Sequence, residues 1–487
     1  MTLMTPQAYR KSLERDLNLF MFGDKVKDYW KHPIIKPSIN TVAKIYELAQ
    51  MNEYQDIMTA TSHLTKDQVN RFTHLHVNGD DLVKKVQMQR LVGQHTGTCF
   101  QRCVGFDAGN TMYATTYNID KAIGTNYHER FKSYWEEIQE QDLMVAGSMT
   151  DPKGDRSKRP PDQDDPDLYL HVVDRSDDGI VVRGAKAHQT GLVNSHRTIV
   201  MPTLSLRKGE EDYAVSFGMD ITAKGVTMIY GRQPSDLRKI YDDIEDTGNI
   251  KFGSQEVFLV FDDVFIPKEQ VFMDGEIEFT GGLVNRFASY HRNSYGGCKP
   301  GKGDVYIGAA ALAAQSNGLS GKVSHIKDKL VEMTVLNETI FSGGVASSAL
   351  GTKNEAGLYE VDSLLANVTK QNVTRFPYEI RRLVEDLAGG IIATLPSHAD
   401  FKSEAVGNLL QKYLQTDCET PVEDRFKLIR LIENLTIGTG SIAYTTESLH
   451  GAGSPQAQRI MISRQGDFDK KIQLVKKILD TSDSIKS

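Results

Sequence analysis

The chain has 487 residues, with 57 basic against 64 acidic side chains, a formal net charge of −7 and 39% hydrophobic residues. At roughly 100–200 residues per domain, that length predicts about two to four structural units, with ample apolar material for a core. The acidic balance argues against a nucleic-acid partner, which needs a basic face for phosphates, and the composition excludes disordered, collagenous and disulfide-stapled classes.

The N-terminus, MTLMTPQAYRKSLERDLNLFMFGDK, has no apolar run of about seven residues and no cleavage signature. The longest apolar stretch elsewhere, Ile307–Ala314, is too short to span a bilayer. A cytoplasmic protein with no membrane partner is expected. Residues 5 to about 140 read mostly as helix, with apolar residues at three- and four-residue spacing in Val42–Leu48 and Leu82–Val92. A Pro-, Gly- and Asp-rich passage, Met149–Asp167, follows. The period then changes: Leu168–Val173, Gly179–Arg183, Thr198–Leu206, Tyr213–Phe217, Val226–Tyr230 and Val257–Phe261 are short β-rich runs between turn residues. From Gly282 onward helical patterning returns, at Val305–Gln315, Ile326–Phe341, Leu358–Thr369, Glu379–Ala388 and Phe426–Leu435. The expected class is α+β: an N-terminal helical domain over 1–145, a middle antiparallel β domain over 146–278 and a C-terminal helical bundle over 279–487.

Cysteine is sparse, at positions 99, 103, 298 and 418. Cys99 and Cys103, in GTCFQRCVG, share one face if the segment is a helix. In YHRNSYGGCKPGKGD, His291 precedes Cys298 by two helical turns. Cys99, Cys103, His291 and Cys298 thus form a candidate three-thiolate, one-imidazole set. Two cysteines four apart are more often ordinary buried small residues. As ligands, such a set suits structural zinc as well as an iron–sulfur cluster, and spacing does not choose. Cys418 has no Cys or His near it in sequence and reads as a bystander. Gly296–Lys302, GGCKPGK, satisfies part of a phosphate loop. However, Gly303 stands where Ser or Thr is required and no strand precedes it, so no nucleotide site is expected.

Met149–Arg156 (MTDPKGDR), Gly179–Gly191 (GIVVRGAKAHQTG), Phe261–Pro267 (FDDVFIP) and Thr446–Arg459 (TESLHGAGSPQAQR) resemble the architecture of acyl-CoA dehydrogenase-like flavoproteins. Within that group CFQRC, YHRNSYGGCK and HGAGSPQAQR resemble the 4-hydroxybutyryl-CoA dehydratase (vinylacetyl-CoA Δ-isomerase) family over essentially the whole chain. Singly these motifs are weak; together and in this order they are specific. The resemblance implies an acyl-CoA dehydrogenase-like fold and a homotetramer with FAD and a [4Fe–4S] cluster in each subunit. It places the cluster on Cys99, Cys103, Cys298 and His291. It places FAD on Met149, Thr150, Asp151, Lys153, Gly154, Asp155 and Arg156, on His188, Gln189 and Thr190, and on His450, Gly451, Ala452 and Gly453 of a neighbouring subunit.

The implied substrates are the acyl-CoAs 4-hydroxybutyryl-CoA and vinylacetyl-CoA. Dehydration is demanding because hydrogen leaves C3, which the thioester does not acidify. The resemblance implies a ketyl radical route through flavin, with cluster iron as Lewis acid toward the hydroxyl. Imidazole is displaced from iron more easily than thiolate, so His291 is expected to serve as both ligand and base. Glu447 and Glu256 are candidate proton carriers. Tyr295 and Lys299, flanking Cys298, are candidate donors to the departing oxygen, and Gln101 and Thr190 lie beside the cluster and flavin stretches. Each has a plain alternative: Glu256 and Glu447 as surface carboxylates, Tyr295 as a packed aromatic, Lys299 as a solvated charge. Two other functions remain in play: a flavin-dependent aromatic monooxygenase of the 4-hydroxyphenylacetate type, which has no need of the Cys3His set, and a zinc-stapled, non-catalytic scaffold.

Overall fold

Three large hydrophobic clusters organise the computed structural model, which describes residues 3–152, 154–231, 251–319, 323–416 and 420–479. Lys153 and Cys418 fall outside the described residues. In the first cluster Tyr9, Tyr46 and Trp135 from N-terminal helices meet Val182, Phe217, Leu259 and Phe261 from the middle strands. Two of these N-terminal helices frame the first cysteines. Gly79–Thr96 starts at Asn78, whose side chain accepts the Asp81 N–H, and stops at Gly97 in the left-handed region. Cys103–Ile123 begins after a left-handed Gln101 (φ +69°) and stops at Gly124.

The middle of the chain forms two sheets. One holds six strands in the order Asp24–Lys25, Leu19–Met21, Val226–Tyr230, Glu256–Pro267, Gly179–Thr190 and His171–Ser176. The other holds four, in the order Val271–Asp274, Val215–Asp220, Arg197–Val200 and Val145–Ser148. The expected antiparallel middle domain is corrected in two respects. Leu19–Met21 pairs in parallel with Val226–Tyr230, and Val145–Ser148 pairs in parallel with Arg197–Val200. The first pairing draws residues 19–25 out of the helical N-terminal region to cover a sheet edge that would otherwise leave backbone donors and acceptors unpaired.

The C-terminal region is built on one 40-residue helix, Ile277–Ser316, packed by Ser324–Ala349, Ser363–Val373, Phe376–Ala388 and Val422–Thr436. Tyr306, Ala310, Met333, Ile380, Ile432 and Tyr444 form its core. The phosphate-loop-like glycines lie inside this long helix, where they permit close backbone contact. A Cβ on Gly297 would sit 2.4 Å from the Val86 carbonyl oxygen, and one on Gly301 would sit 2.2 Å from that of Arg90. Helix Gly79–Thr96 is therefore pressed against the stretch that carries Cys298. The third cluster, including Phe72, Phe100, Phe106, Ile340 and Val373, encloses Cys103, Tyr295 and Cys298 in an apolar shell.

Candidate functional site

The long helix presents His291, Tyr295, Cys298, Lys299 and Lys302 at helical spacing, all buried. Cys99 and Cys103 approach from the other side, but not on one helix as their spacing suggests. Cys99 lies in the loop closing Gly79–Thr96, and Cys103 is the first residue of the next helix. The three thiols are free and buried. Burial pushes the Cys103 thiol well up, and the charges of Cys99 and Cys298 push it further. Burial also raises Cys99 and Cys298, while Lys299 and Lys302 oppose the rise in both.

His291 is held from behind. Its Nδ1 lies 2.8 Å from Asp107 Oδ2, and Lys85 Nζ donates to Asp107 Oδ1 at 2.6 Å. Burial alone would raise the Asp107 carboxyl, but Lys85 and His291 outweigh it and hold it below the usual range. An ionised carboxylate only accepts, so Nδ1 carries the proton and Nε2 is left as the basic nitrogen. Ser294 Oγ also donates to Asp107, at 2.9 Å.

Two carboxyls from distant parts of the chain lie near enough for the charge of one to act on the other. Glu447, in the short helix Thr446–His450, accepts from Lys299 Nζ at 3.2 Å and pairs with Lys302 Nζ at 3.5 Å. Burial would raise its carboxyl, but Lys302 and Lys299 hold it low, and the Cys99 thiol donates to it. Glu256 opens strand Glu256–Pro267, opposite Thr190, whose hydroxyl lies 2.8 Å from both its carboxylate oxygens. Burial and then the charge of Glu447 push Glu256 well above the carboxylate range. The surroundings thus push the two carboxyls in opposite directions, Glu447 toward its ionised form and Glu256 toward its protonated form, a division suited to proton transfer. Glu256 also lines a cavity of about 280 Å³ beside Thr98, Phe252, Val305 and Leu435. The Tyr295 hydroxyl donates to the Glu447 carbonyl at 3.3 Å, and burial raises the phenol.

The stretches assigned to FAD are partly prearranged. Lys186 Nζ donates to the Met149 carbonyl at 2.9 Å and pairs with Asp151 at 2.7 Å, and the Ala187 N–H donates to the Thr150 carbonyl at 2.8 Å. These bonds pin Met149–Asp151 beside the strand of His188, Gln189 and Thr190, and leave Gly154, Asp155 and Arg156 exposed. His188 (φ +60°) and Ala452 (φ +56°) are left-handed non-glycines, and such strain clusters at ligand-holding turns. Within this chain the turn His450–Gly453 packs beside the site: Arg292 Nε donates to the Ala452 carbonyl at 3.1 Å. Gln101 is a structural bridge, joining the Ser38 and Gly253 carbonyls to Asn194.

Sequence reasoning missed Asp107, Lys85, Lys302 and Lys370. Asp107 lies one turn beyond Cys103, and Lys302 lies four residues after Cys298, so helical spacing held a signal for both; Lys85 and Lys370 had none. Among the described residues no group of three or more His, Cys, Asp or Glu side chains converges to hold a metal ion. A zinc staple needs every donor on one atom at about 2.0–2.3 Å, whereas a cluster takes donors on separate irons. No helix of the described residues is long and apolar enough to cross a membrane.

Family models described as the N-terminal and C-terminal parts of 4-hydroxyphenylacetate 3-hydroxylase match residues 5–273 and 280–480. A 4-hydroxybutyryl-CoA dehydratase/vinylacetyl-CoA-Δ-isomerase of Clostridium aminobutyricum is 54% identical over 98% of this chain and 99% of its own length. An oxygen-tolerant archaeal 4-hydroxybutyryl-CoA dehydratase structure from N. maritimus superposes with a TM-score of 0.97 at 51% identity, covering 100% of this chain and 97% of that one. The FAD-complexed oxygenase component of 4-hydroxyphenylacetate 3-monooxygenase superposes at 0.86 with 22% identity, over 97% of this chain and 98% of the other. Butyryl-CoA dehydrogenase from Megasphaera elsdenii reaches only 0.50 at 15% identity, over 95% of this chain and 98% of its own. The acyl-CoA dehydrogenase-like class expected from the motifs is therefore corrected to the fold of the 4-hydroxyphenylacetate 3-hydroxylases. Short strand-and-turn motifs such as FDDVFIP record local backbone, not how helices and sheet edges pack around it.

Proposed function

The chain belongs to the 4-hydroxyphenylacetate 3-hydroxylase family and, within it, to the 4-hydroxybutyryl-CoA dehydratases, and on that premise we propose that it converts both 4-hydroxybutyryl-CoA and vinylacetyl-CoA to crotonyl-CoA. It is an enzyme of the dehydratase/isomerase kind. The observation that carries this reading is the meeting of three free, buried thiols with His291–Asp107 and a split carboxylate pair around one helix.

Cys99, Cys103 and Cys298 would hold a [4Fe–4S] cluster with His291 Nε2 as fourth ligand, and the donor set fits: three buried thiols outside any disulfide and one imidazole whose other nitrogen is already engaged. FAD would be held by Met149–Arg156, by His188–Thr190 and by His450–Gly453 of a neighbour in a cytoplasmic homotetramer. When bound, these groups supply reversible one-electron exchange and a Lewis-acidic iron, the chemistry a radical dehydration needs. His291 takes the C2 proton on Nε2 while Asp107 stabilises the resulting imidazolium. Ionised Glu447 accepts a proton and protonated Glu256 donates one. The Lys299 ammonium donates to the departing oxygen, as does the Tyr295 hydroxyl once its single proton turns from the Glu447 carbonyl, and the apolar shell around Cys103 and Cys298 excludes water. The deciding experiment is anaerobic purification with iron, sulfide and flavin analysis and assays of both acyl-CoA conversions. A colourless zinc protein, or one that hydroxylates phenols and leaves both acyl-CoAs untouched, refutes the reading.

A further inference from the structure

The ring of Tyr295 lies against two lysine Nζ groups: that of Lys299 is 5.0 Å from its centroid and that of Lys370 is 4.7 Å away. Lys370 comes from helix Ser363–Val373, is 0% exposed, and donates to the Ser448 carbonyl at 2.6 Å. Ser448 follows Glu447 in the short helix Thr446–His450, and the Tyr295 hydroxyl donates to the carbonyl of Glu447 itself. The same turn closes on the hydroxyl from above: a Cβ on Gly451 would lie 1.7 Å from it. Lys370 therefore grips both supports of the tyrosine, its ring face and the turn that receives its hydroxyl.

A lysine in this place is costly. Burial, with Lys299 and Arg292 nearby, brings its amine down to about 7, and an apolar side chain would fill the space without that penalty. We propose that Lys370 is a positioning residue, clamping the Tyr295 ring to the Glu447 turn so that the hydroxyl is held at one place beside the departing oxygen. This rests on the role given to Tyr295 above.

The test compares variants as anaerobically purified holoenzymes. Lys370→Met keeps an unbranched stem and removes the charge and the hydrogen bond. It is expected to lower the ratio of dehydration to isomerisation kcat at least about tenfold, toward the roughly 10²-fold that a misplacement of about 1 Å costs. Iron, sulfide and flavin contents should stay at parental levels. Tyr295→Phe should lower the same ratio, and adding Lys370→Met to it should lower the ratio no further, because the positioned hydroxyl is gone. An unchanged ratio in Tyr295→Phe overturns the role of Tyr295 and the proposal with it. A lowered ratio in Tyr295→Phe beside equal losses of both activities in Lys370→Met, or losses that multiply in the double variant, overturns the role of Lys370 alone. Where Lys370→Met does not yield folded holoenzyme, Lys370→Gln, smaller and still a donor, is read against the same double variant.

Discussion

Gly297 stands immediately before Cys298, and an alanine there tests how the site-bearing helix is held. Its Cβ would lie 2.4 Å from the Val86 carbonyl oxygen and 2.8 Å from Gln89 Cβ. Non-bonded heavy atoms settle at about 3.5 Å, so helix Gly79–Thr96 and the long helix must part by roughly 1 Å, because the main obstacle is backbone. Overpacking of this kind costs about 1–3 kcal/mol. Replacing glycine inside a helix also returns about 1 kcal/mol of helix propensity, which obscures the cost in a single variant. Gly308 on the same helix removes the ambiguity, since nothing lies within 4 Å of an added Cβ there. Gly308→Ala keeps the propensity gain without the clash, so Gly297→Ala should be the less stable of the two by about 1–3 kcal/mol in urea denaturation. Because Cys298 moves with its neighbour, Gly297→Ala should also lose iron during gel filtration, whereas Gly308→Ala should not. Equal midpoints and equal iron contents would refute the close-approach argument.

The element types are legible because period 2 and period 3.6 differ plainly. Gly179–Arg183 reads as β-rich and Phe426–Leu435 as helical, whatever they later pack against, although the strand itself runs on to Thr190. Pairing is another matter. Leu19–Met21 is a three-residue strand that gains its identity only from Val226–Tyr230, about two hundred residues away, and nothing local marks it. The site follows the same logic. His291 and Cys298 sit two turns apart on one continuous helix, so their spacing carries the information. Cys99 and Cys103 have an equally helical spacing, yet Gly97 ends one helix before Cys99 and the left-handed Gln101 stands between the two, and glutamine gives no signal of that conformation. Lys299 is fully buried, so it is no solvated charge, and the half-buried Glu447 is paired with it. That relation joins helices 148 residues apart. Lys302 was read as part of a rejected phosphate loop, whose glycines turn out to serve helix contact.

Cys99→Ala, Cys103→Ala and Cys298→Ala should each abolish iron and sulfide retention while Cys418→Ala leaves it unchanged; the reverse pattern in metal analysis contradicts the ligand set. Burial pushes the Asp142 carboxyl up from an ordinary 3.8 to about 6, so the folded chain binds that proton more tightly and this contribution to stability falls as pH rises through that window. Asp142→Asn keeps an acceptor for the Met4 N–H and tolerates the φ of +48°; relative to the parent it should gain about 2–2.5 kcal/mol between pH 4 and pH 8 in urea denaturation, and a pH-independent difference would contradict this. The last prediction concerns the pair behind His291. Lys85 and Asp107 are both 0% exposed and 2.6 Å apart. Removing either partner strands the other as an uncompensated buried charge, so Lys85→Met and Asp107→Asn should each cost about 3–5 kcal/mol. The double variant removes both charges together and should cost less than either single change, because much of each single cost is the stranded partner and not the lost attraction. Additive losses in the denaturation cycle would mean that the pair is not an isolated ionic unit and that Asp107 is sustained mainly by His291 and Ser294.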